Sequence, residues 1–196
     1  MGCRIVLLAG TSHVGKSTLA TRLADALGCV VISTDRLARH PGRPWPSIPR
    51  PVIEYYERLT PETIYWFLRA HHENMWPALK QIIDDQKLTE GALVLEGSAL
   101  RPEYIAPLLS DTVIGLCLHA PEAFLRERMQ VEAGYSEASD ADRLVMDKFI
   151  GRSLRDNAEM HDSAVDHGLT LVDASQRGTV ENLYRRLVDD IRAAAP

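Results

Sequence analysis

Cysteine, aromatic residues and positive charge are all scarce in this sequence of 196 residues. The three cysteines, Cys3, Cys29 and Cys117, are odd in number, and their spacing matches neither a disulfide framework nor a metal motif. Each lies at or within a predicted strand, so we expect small core residues in a reducing compartment. The net charge of -5 disfavours general nucleic-acid binding, although a local basic groove stays open.

Long apolar runs are also missing, and none approaches the ~20 residues that a membrane span needs. The first run, Ile5–Ala9, leads directly into a glycine-rich motif rather than a cleavage site, so no signal peptide is predicted. We therefore expect a cytoplasmic protein without a membrane partner. The length favours one domain over residues 1–196 with a substantial core.

Apolar runs alternate with helical periodicity, which is typical of a parallel sheet covered on both faces. Runs rich in Val, Ile and Leu, without polar alternation, predict buried parallel strands at 4–9, 29–33, 92–96, 113–118 and 169–172. Apolar steps of three and four residues predict amphipathic helices from Ile64 to Ile83 and from Val180 to Ile191. The predicted fold class is α/β.

A phosphate-binding pattern follows the first predicted strand. The letters GTSHVGKS fit G-x-x-x-x-G-K-[ST] in full, and an amphipathic helix follows, as this pattern requires. Backbone N–H groups of such a loop turn toward an anion, and the helix N-terminus adds its positive dipole end. The predicted nucleotide-binding residues are Gly10, Thr11, Ser12, His13, Val14, Gly15, Lys16, Ser17 and Thr18.

Within this loop Lys16 would bridge the β- and γ-phosphates of ATP, and Ser17 would ligate Mg²⁺. His13 occupies a variable position, where a neutral loop residue is favoured over a contact with substrate or phosphate. The alternative for the whole motif is a tight glycine turn with a surface lysine, which its context of strand and helix disfavours.

P-loops occur in kinases, GTPases, ATPases and motors, so further residues must decide the class. The GTPase motif N-K-x-D is absent, and a carboxylate ends the second predicted strand. The segments GTSHVGKST, VVISTDRLAR, LVLEG, the Arg126/Arg128 region and LVDAS occur in that order. With them the chain resembles the small P-loop kinases typified by shikimate kinase, gluconate kinase and chloramphenicol phosphotransferase, and also the 2-phosphoglycerate kinase-like proteins.

The resemblance implies a three-layer α/β/α P-loop NTPase fold with a five-stranded parallel sheet and a helical lid at about 126–160. It also implies that Asp35, after the second strand, binds the acceptor hydroxyl and serves as general base or substrate orienter. The alternative role for Asp35 is an N-cap. Glu96 takes the place of the Walker B acid, where it would reach Mg²⁺ through water or hold substrate, unless it is simply buried.

Two further positions match adenine contacts of these kinases. Arg128 corresponds to an arginine that packs on the adenine ring, with Arg126 as the alternative register. Ala174, after the fifth predicted strand, corresponds to a backbone loop beside the same ring, although an ordinary turn would look alike.

A basic stripe is predicted on the helix of the lid. Lys148, Arg152 and Arg155 fall at i, i+4 and i+7, on one helix face. The stripe fits a lid that closes over the phosphates, with Arg152 as the catalytic member and Arg143 as a weaker candidate. A solvated face with i, i+4 ion pairs is the alternative.

The acceptor site is predicted around a proline-rich segment, His40–Pro51, in which five prolines exclude a helix or a central strand. The candidate contacts are Arg39, His40, Arg43 and Trp45, with Arg101 after the third strand. Arginines suggest an acceptor with a carboxylate or phosphate. However, only four of the 22 basic residues are lysines, so arginine is abundant everywhere and the acceptor's charge stays open.

The adjacent residues His71, His72 and Glu73 face different sides of a helix, so a structural or substrate-side role is favoured over a zinc site. The leading hypothesis is a kinase that transfers the γ-phosphate of ATP to a hydroxyl of a metabolite, sugar acid or antibiotic. The alternatives are a nucleoside or nucleotide kinase, and a nucleotide-dependent binding protein or switch without phosphotransfer. The sequence leaves the oligomeric state undecided. A homodimer is compatible with it, but no exposed apolar stripe requires one.

Overall fold

The computed structural model describes residues 5–45 and 48–193, and its strands form one parallel sheet. Cys3 and Arg4 lie outside the described residues. The strands are β1 Ile5–Ala9, β2 Val30–Ser33, β3 Leu93–Gly97, β4 Val113–His119 and β5 Thr170–Asp173. Their order across the sheet is β2-β3-β1-β4-β5. The five predicted parallel strands are confirmed, with ends that differ by one residue.

Helices cover both faces of this sheet. They are α1 Lys16–Leu27, α2 Arg50–Arg58, α3 Pro61–Lys87, α4 Pro102–Ile105, α5 Glu122–Ala133, α6 Asp140–Asp166 and α7 Arg177–Ala193. Short 3₁₀ turns occur at 34–36, 106–108 and 135–137. In the part of the chain that the structure describes, no helix is both long and apolar enough to cross a membrane.

Alternate residues of β1 face two separate cores. Val6 and Leu8 pack in the core that includes α1 and α7, whereas Leu7 and Ala9 pack in the core that includes α3 and the end of α6. Because both faces are covered, the strand is apolar throughout rather than alternating. The predicted three-layer α/β/α arrangement is confirmed.

Two local details differ from the sequence prediction. Helix α2 begins at Arg50 and holds Pro51 in its first turn. Backbone N–H groups of a first turn have no acceptor within the helix, so the lack of an N–H in proline breaks no hydrogen bond there. The proline-rich loop therefore ends at Pro49. The buried residues of the apolar stripe of α3, such as Ile64, face the core as predicted. Phe67 of the same stripe is instead 46% exposed.

Gly97, at the end of β3, is where the sheet meets the turn after β2. Its φ is +153°, and a Cβ there would lie 1.8 Å from Oγ1 of the buried Thr34. A side chain at this position would displace the turn that carries Asp35. We expect Gly97→Ala to lower the free energy of unfolding by about 3 kcal/mol, since strain and overpacking add.

Denaturant unfolding measures this loss. Gly91→Ala is the matched control, because its nearest atom, Nε2 of Gln86, lies 3.7 Å from the added Cβ. Equal stability of the two variants would contradict the close contact.

Candidate active site

The loop between β1 and α1 depends on two glycines. Gly10 has a φ of +141°, and a Cβ there would lie 2.5 Å from the carbonyl oxygen of Leu118 in β4. Gly15 has a φ of +100° and precedes α1 in a left-handed conformation. The first turn of α1 contains no acidic residue, so its free N–H groups and positive dipole end can serve an anion.

Lys16 begins α1 and is buried beneath this loop. Its Nζ donates to the carbonyl oxygen of Thr11 at 2.7 Å. Burial lowers the pKa of Lys16, while the carboxylates of Glu96 and Asp35 act in the opposite direction. The hydroxyl of Thr11 donates to the carbonyl oxygen of Ser153 at 2.9 Å, which ties the loop to α6.

Ser17 and Glu96 lie side by side at the carboxyl edge of the sheet. Oγ of Ser17 donates to Oε1 of Glu96 at 3.1 Å. Glu96 is paired in register with Leu8 of β1 and Ser33 of β2, and it is 3% exposed. Hydroxyl and carboxylate oxygens are the ligands that Mg²⁺ prefers, together with phosphate oxygens. These two residues therefore fit a magnesium ion bound with a nucleotide.

Asp35 lies in the 3₁₀ turn directly after β2. Its side chain is 64% exposed, and Oδ1 lies 4.0 Å from Nε2 of His40. Asp35 lies inside the 3₁₀ turn at 34–36 and does not precede a helix, so the structure does not support the alternative role as an N-cap. The carboxylate is instead part of the wall of a cleft.

This cleft has a volume of about 440 Å³, which suits a small-ligand site. The P-loop forms one end, and the turn after β2 faces α3 at the other. Most of the predicted P-loop residues line it. The structure also brings to its wall the predicted site residues Asp35, Arg43, Glu96, Arg128 and Arg152.

The predicted basic stripe of α6 divides among different partners. Arg152 reaches the cleft, where Nη1 donates to the hydroxyl of Tyr56 at 3.1 Å and the guanidinium lies 4.4 Å from the ring centre of Phe149. Nε of Arg152 is buried without a hydrogen-bond partner. Lys148 instead donates to the carbonyl oxygens of Glu57 and Leu59, at the end of α2.

The other two basic residues of this region also lie outside the cleft wall. Arg155 pairs with Glu62 and Glu159, and its guanidinium lies 3.7 Å from the ring centre of Tyr65. Arg143 donates to the backbone of the turn at 135–137. Of the candidates for phosphate contact in the lid, Arg152 is thus the one that the geometry supports.

The two candidate adenine contacts have different surroundings. Arg128 lies in the cleft wall beside Gly15, whereas Arg126 pairs with Glu122 on the surface. The structure therefore favours the register with Arg128. Ala174 follows β5 and donates its N–H to the carbonyl oxygen of His119 at 2.8 Å, outside the wall of the cleft. Its contact with adenine stays a prediction.

The prediction that Arg101 and Arg39 contact the acceptor is wrong, because neither residue reaches the cleft. Arg101 is 1% exposed, and Nη1 donates to Oδ1 of Asp156 at 2.5 Å while Nε pairs with Glu103 at 3.3 Å. Its charge is neutralised inside the fold. Arg39 is exposed and lies in a separate surface depression at 35–40. The partner Asp156 lies 55 positions along the chain from Arg101, so no local pattern predicts their contact.

Glu132, near the end of α5, is a cleft residue that sequence reasoning missed. Its carboxylate accepts hydrogen bonds from Arg43 and from Nε1 of Trp45. Nε2 of His13 lies 3.0 Å from the same carboxylate, but off the direction that a hydrogen bond requires. Burial, followed by the charge of Arg43, lowers the pKa of His13 to about 4, so this ring is neutral.

Helix α3 contributes a second group to the cleft wall, which includes the two histidines for which a structural or substrate-side role was predicted. Leu68, His71, His72 and Met75 line the cleft, and their i, i+3, i+4, i+7 spacing lets one broad helix face carry all four, so His71 and His72 do not face different sides as expected. The available signal was the interruption of an apolar stripe by two histidines. Among the described residues, no group of three or more His, Cys, Asp or Glu side chains is arranged to hold a metal ion.

The loop, the sheet order and the carboxylates at one edge define a P-loop nucleotide-binding fold of the kinase type. Residues 5–155 match the sequence profile of the AAA domain family. That match covers most of the chain, and the protein belongs to this family. No curated protein matches the chain significantly in sequence.

Solved kinase structures share this fold. A gluconokinase from Sinorhizobium meliloti 1021 aligns with a TM-score of 0.50 at 21% identity, over 99% of this chain and 93% of that one. A shikimate kinase from Bacteroides thetaiotaomicron gives 0.53 at 18%, over 96% and 98%. A deoxyadenosine kinase from M. mycoides with bound dATP gives 0.52 at 15%, over 93% and 98%. The predicted resemblance to small P-loop kinases is confirmed at the level of the fold.

The buried pair of Arg101 and Asp156 predicts a large effect on stability. Arg101→Ala leaves the carboxylate of Asp156 buried and unpaired, so we expect the free energy of unfolding to fall by about 3–5 kcal/mol. The double variant Arg101→Met, Asp156→Leu removes both charges together and should recover most of that loss. Urea unfolding compares the variants. A double variant no more stable than Arg101→Ala would refute the assignment.

Proposed function

We propose that the protein is an ATP-dependent kinase that transfers the γ-phosphate to a hydroxyl group of a small molecule. The observation that carries this proposal is the meeting of three groups around one cleft. These are the glycine-rich loop with Lys16, the pair of Ser17 and Glu96, and the exposed carboxylate of Asp35. Parallel strands deliver all three to the carboxyl edge of the sheet, where ligands of open α/β sheets bind.

In this proposal the backbone N–H groups of the loop hold the phosphates of ATP. Lys16 leaves the carbonyl oxygen of Thr11 and bridges the β- and γ-phosphates. Ser17, with Glu96 behind it, would hold Mg²⁺, which supplies charge neutralisation and orientation of the phosphates. Arg128 would pack on the adenine ring, and the backbone at Ala174 would contact the same ring.

Asp35 orients the acceptor hydroxyl and takes its proton. The hydroxyl oxygen forms a bond to the γ-phosphorus as the bond from that phosphorus to the β–γ bridging oxygen breaks, which yields ADP and a phosphate ester. Because the transition state of phosphoryl transfer is largely loose, the positioning of the hydroxyl contributes more than its deprotonation. Arg152 supports the charge on the transferred group.

We also propose that residues 126–160 act as a lid within a single domain over residues 1–196. The contacts of Glu132 with Arg43 and Trp45 join α5 to the proline-rich loop across the cleft. Lys148 joins α6 to the end of α2 in the same way. Movement of the lid would exchange these contacts for contacts with the nucleotide.

A nucleoside acceptor receives less support from the cleft wall. Of the described residues in 36–60, those that line the cleft are His40, Gly42 and Arg43. Trp45 and Tyr56 are buried and offer no free ring face for a base. A screen of alcohols, sugar acids, antibiotics and nucleosides with coupled ADP detection compares these acceptor classes directly. ATP hydrolysis that no acceptor stimulates would favour a nucleotide switch instead.

The phosphate-binding role of Lys16 makes a direct prediction. Lys16→Ala should lower turnover by about 10²-fold or more. The reason is that the transferred phosphate loses the positive charge that stabilises it. Steady-state ADP formation and circular dichroism measure activity and fold together. Lys80→Ala is the control, since Lys80 is an exposed lysine paired with Asp84 on α3. Full activity of Lys16→Ala would refute the assigned cradle.

The role of Asp35 predicts a change in rate rather than in stability. Asp35→Asn should lower kcat by about 10²-fold or more, because the amide cannot accept the proton of the hydroxyl. The exposed side chain makes no capping bond, so the melting temperature should stay near that of the native protein. Asp111→Asn, before β4 at the opposite edge of the sheet, is the control. Unchanged kcat in Asp35→Asn would exclude Asp35 as the general base.

A further inference from the structure

Beyond the P-loop the cleft is lined by His40, His71, His72 and Ser98, together with the carboxylate of Asp35. Arg101 is neutralised by Asp156 and Glu103, and Arg39 lies outside the cleft. Arg43 is paired with Glu132 at the other end, next to His13. Arg152 also lines the cleft, where its charge acts on His40 and His72, and it is assigned above to the transferred phosphate.

Three histidines, His40, His71 and His72, lie in this part of the cleft wall. The ring centres of His40 and His71 lie 5.7 Å apart, and those of His71 and His72 lie 6.2 Å apart. Burial lowers the pKa of each of the three, and the charge of Arg101 adds to this effect at His72. At neutral pH these side chains are therefore uncharged hydrogen-bonding groups.

His40 has a defined tautomer that suits a hydroxyl group. The backbone N–H of Gly42 donates to its Nδ1 at 3.0 Å, so the proton of the neutral ring is on Nε2. Nε2 lies 4.0 Å from Oδ1 of Asp35, which is too far for a direct hydrogen bond. A hydroxyl at this place accepts from Nε2 of His40 and donates to Asp35 at the same time.

His72 has an unmet hydrogen-bonding group in the same wall. The side chain is 2% exposed, and Nε2 is hydrogen-bonded to Oγ of Ser98 at 3.2 Å. Nδ1 is buried and has no hydrogen-bond partner. Because buried polar atoms in folded proteins are nearly always partnered and His72 lines the cleft, a ligand group that reaches Nδ1 would complete its hydrogen bonding. Leu68 and Met75 flank the histidines on α3 and offer apolar contacts to carbon atoms.

We propose that the acceptor is an uncharged compound with neighbouring hydroxyl groups, bound by His40, His72 and Ser98 beside Asp35. A hydroxyl both donates and accepts, which matches this mixture of imidazoles, a hydroxyl and a carboxylate. A carboxylate or phosphate on the acceptor would instead lie near Asp35 and would compete with the transferred phosphate for Arg152, whose charge acts on His40 and His72, so such acceptors are disfavoured. This inference rests on the proposed phosphotransfer and narrows its substrate class.

The experiment compares neutral polyols with acids of the same carbon chain. The pairs are glycerol and glycerate, ribitol and ribonate, and glucitol and gluconate. Binding to the protein saturated with Mg²⁺ and ADP is followed through the imidazole ¹H–¹⁵N signals, and turnover with Mg²⁺ and ATP through coupled ADP detection. We expect at least one polyol to bind, and to react with a kcat/KM about tenfold or more above that of its acid partner.

Two substitutions test the named histidines without removing their structural bonds. His72→Gln keeps a polar group near Nε2 for Ser98 but removes Nδ1, and His40→Asn keeps an acceptor for Gly42 but removes the Nε2 proton. Each should lower kcat/KM for the polyol by about tenfold, with the KM for ATP unchanged. His167→Asn, an exposed histidine outside the cleft, is the control.

The outcomes separate this inference from the proposed phosphotransfer. A preference for the acids, no binding of any of the three polyols, or polyol binding unaffected in both His72→Gln and His40→Asn would overturn the inference. Binding of polyols with the expected sensitivity to these substitutions, but without ADP formation, would uphold the inference and contradict the kinase activity.

Discussion

The close approach of the Gly10 backbone to the carbonyl oxygen of Leu118 is the contact on which the rest of the cleft depends. A Cβ at this position would lie 2.5 Å from that oxygen, so any other residue would push the loop away from β4. The position of the loop sets where α1 begins, and therefore where Lys16 and Ser17 lie. Ser17 then meets Glu96, which the parallel register brings to the same edge of the sheet.

A second constraint governs which charges are free to meet a ligand. The chain is rich in arginine, yet most arginines of the site region are already paired with carboxylates or with backbone oxygens. Arg101 joins Asp156 inside the fold, and Arg155 joins Glu62 and Glu159 outside the cleft. This pairing leaves Arg152 with an unpartnered Nε in the cleft wall.

Sequence patterns predicted those parts of the fold and site that depend on neighbouring residues. Strand and helix positions follow from apolar periodicity, because burial on one or two faces imposes that period on each element separately. Asp35 and Glu96 were found for the same reason, since each directly follows or ends a predicted strand. The helical spacing of Lys148, Arg152 and Arg155 was also seen, but their division among three sets of partners was not.

The sequence by itself determined the phosphate-binding loop, the α/β class and the edge of the sheet where the chemistry is expected. These follow from local backbone sterics and from the common direction of parallel strands, which need no knowledge of distant contacts. Only the tertiary structure decided that Arg101 is buried, that Glu132 joins α5 to the proline-rich loop, and that His40 faces α3. Each of these depends on the packing of segments far apart in the chain, where many partners of similar chemistry compete and only the folded geometry selects one.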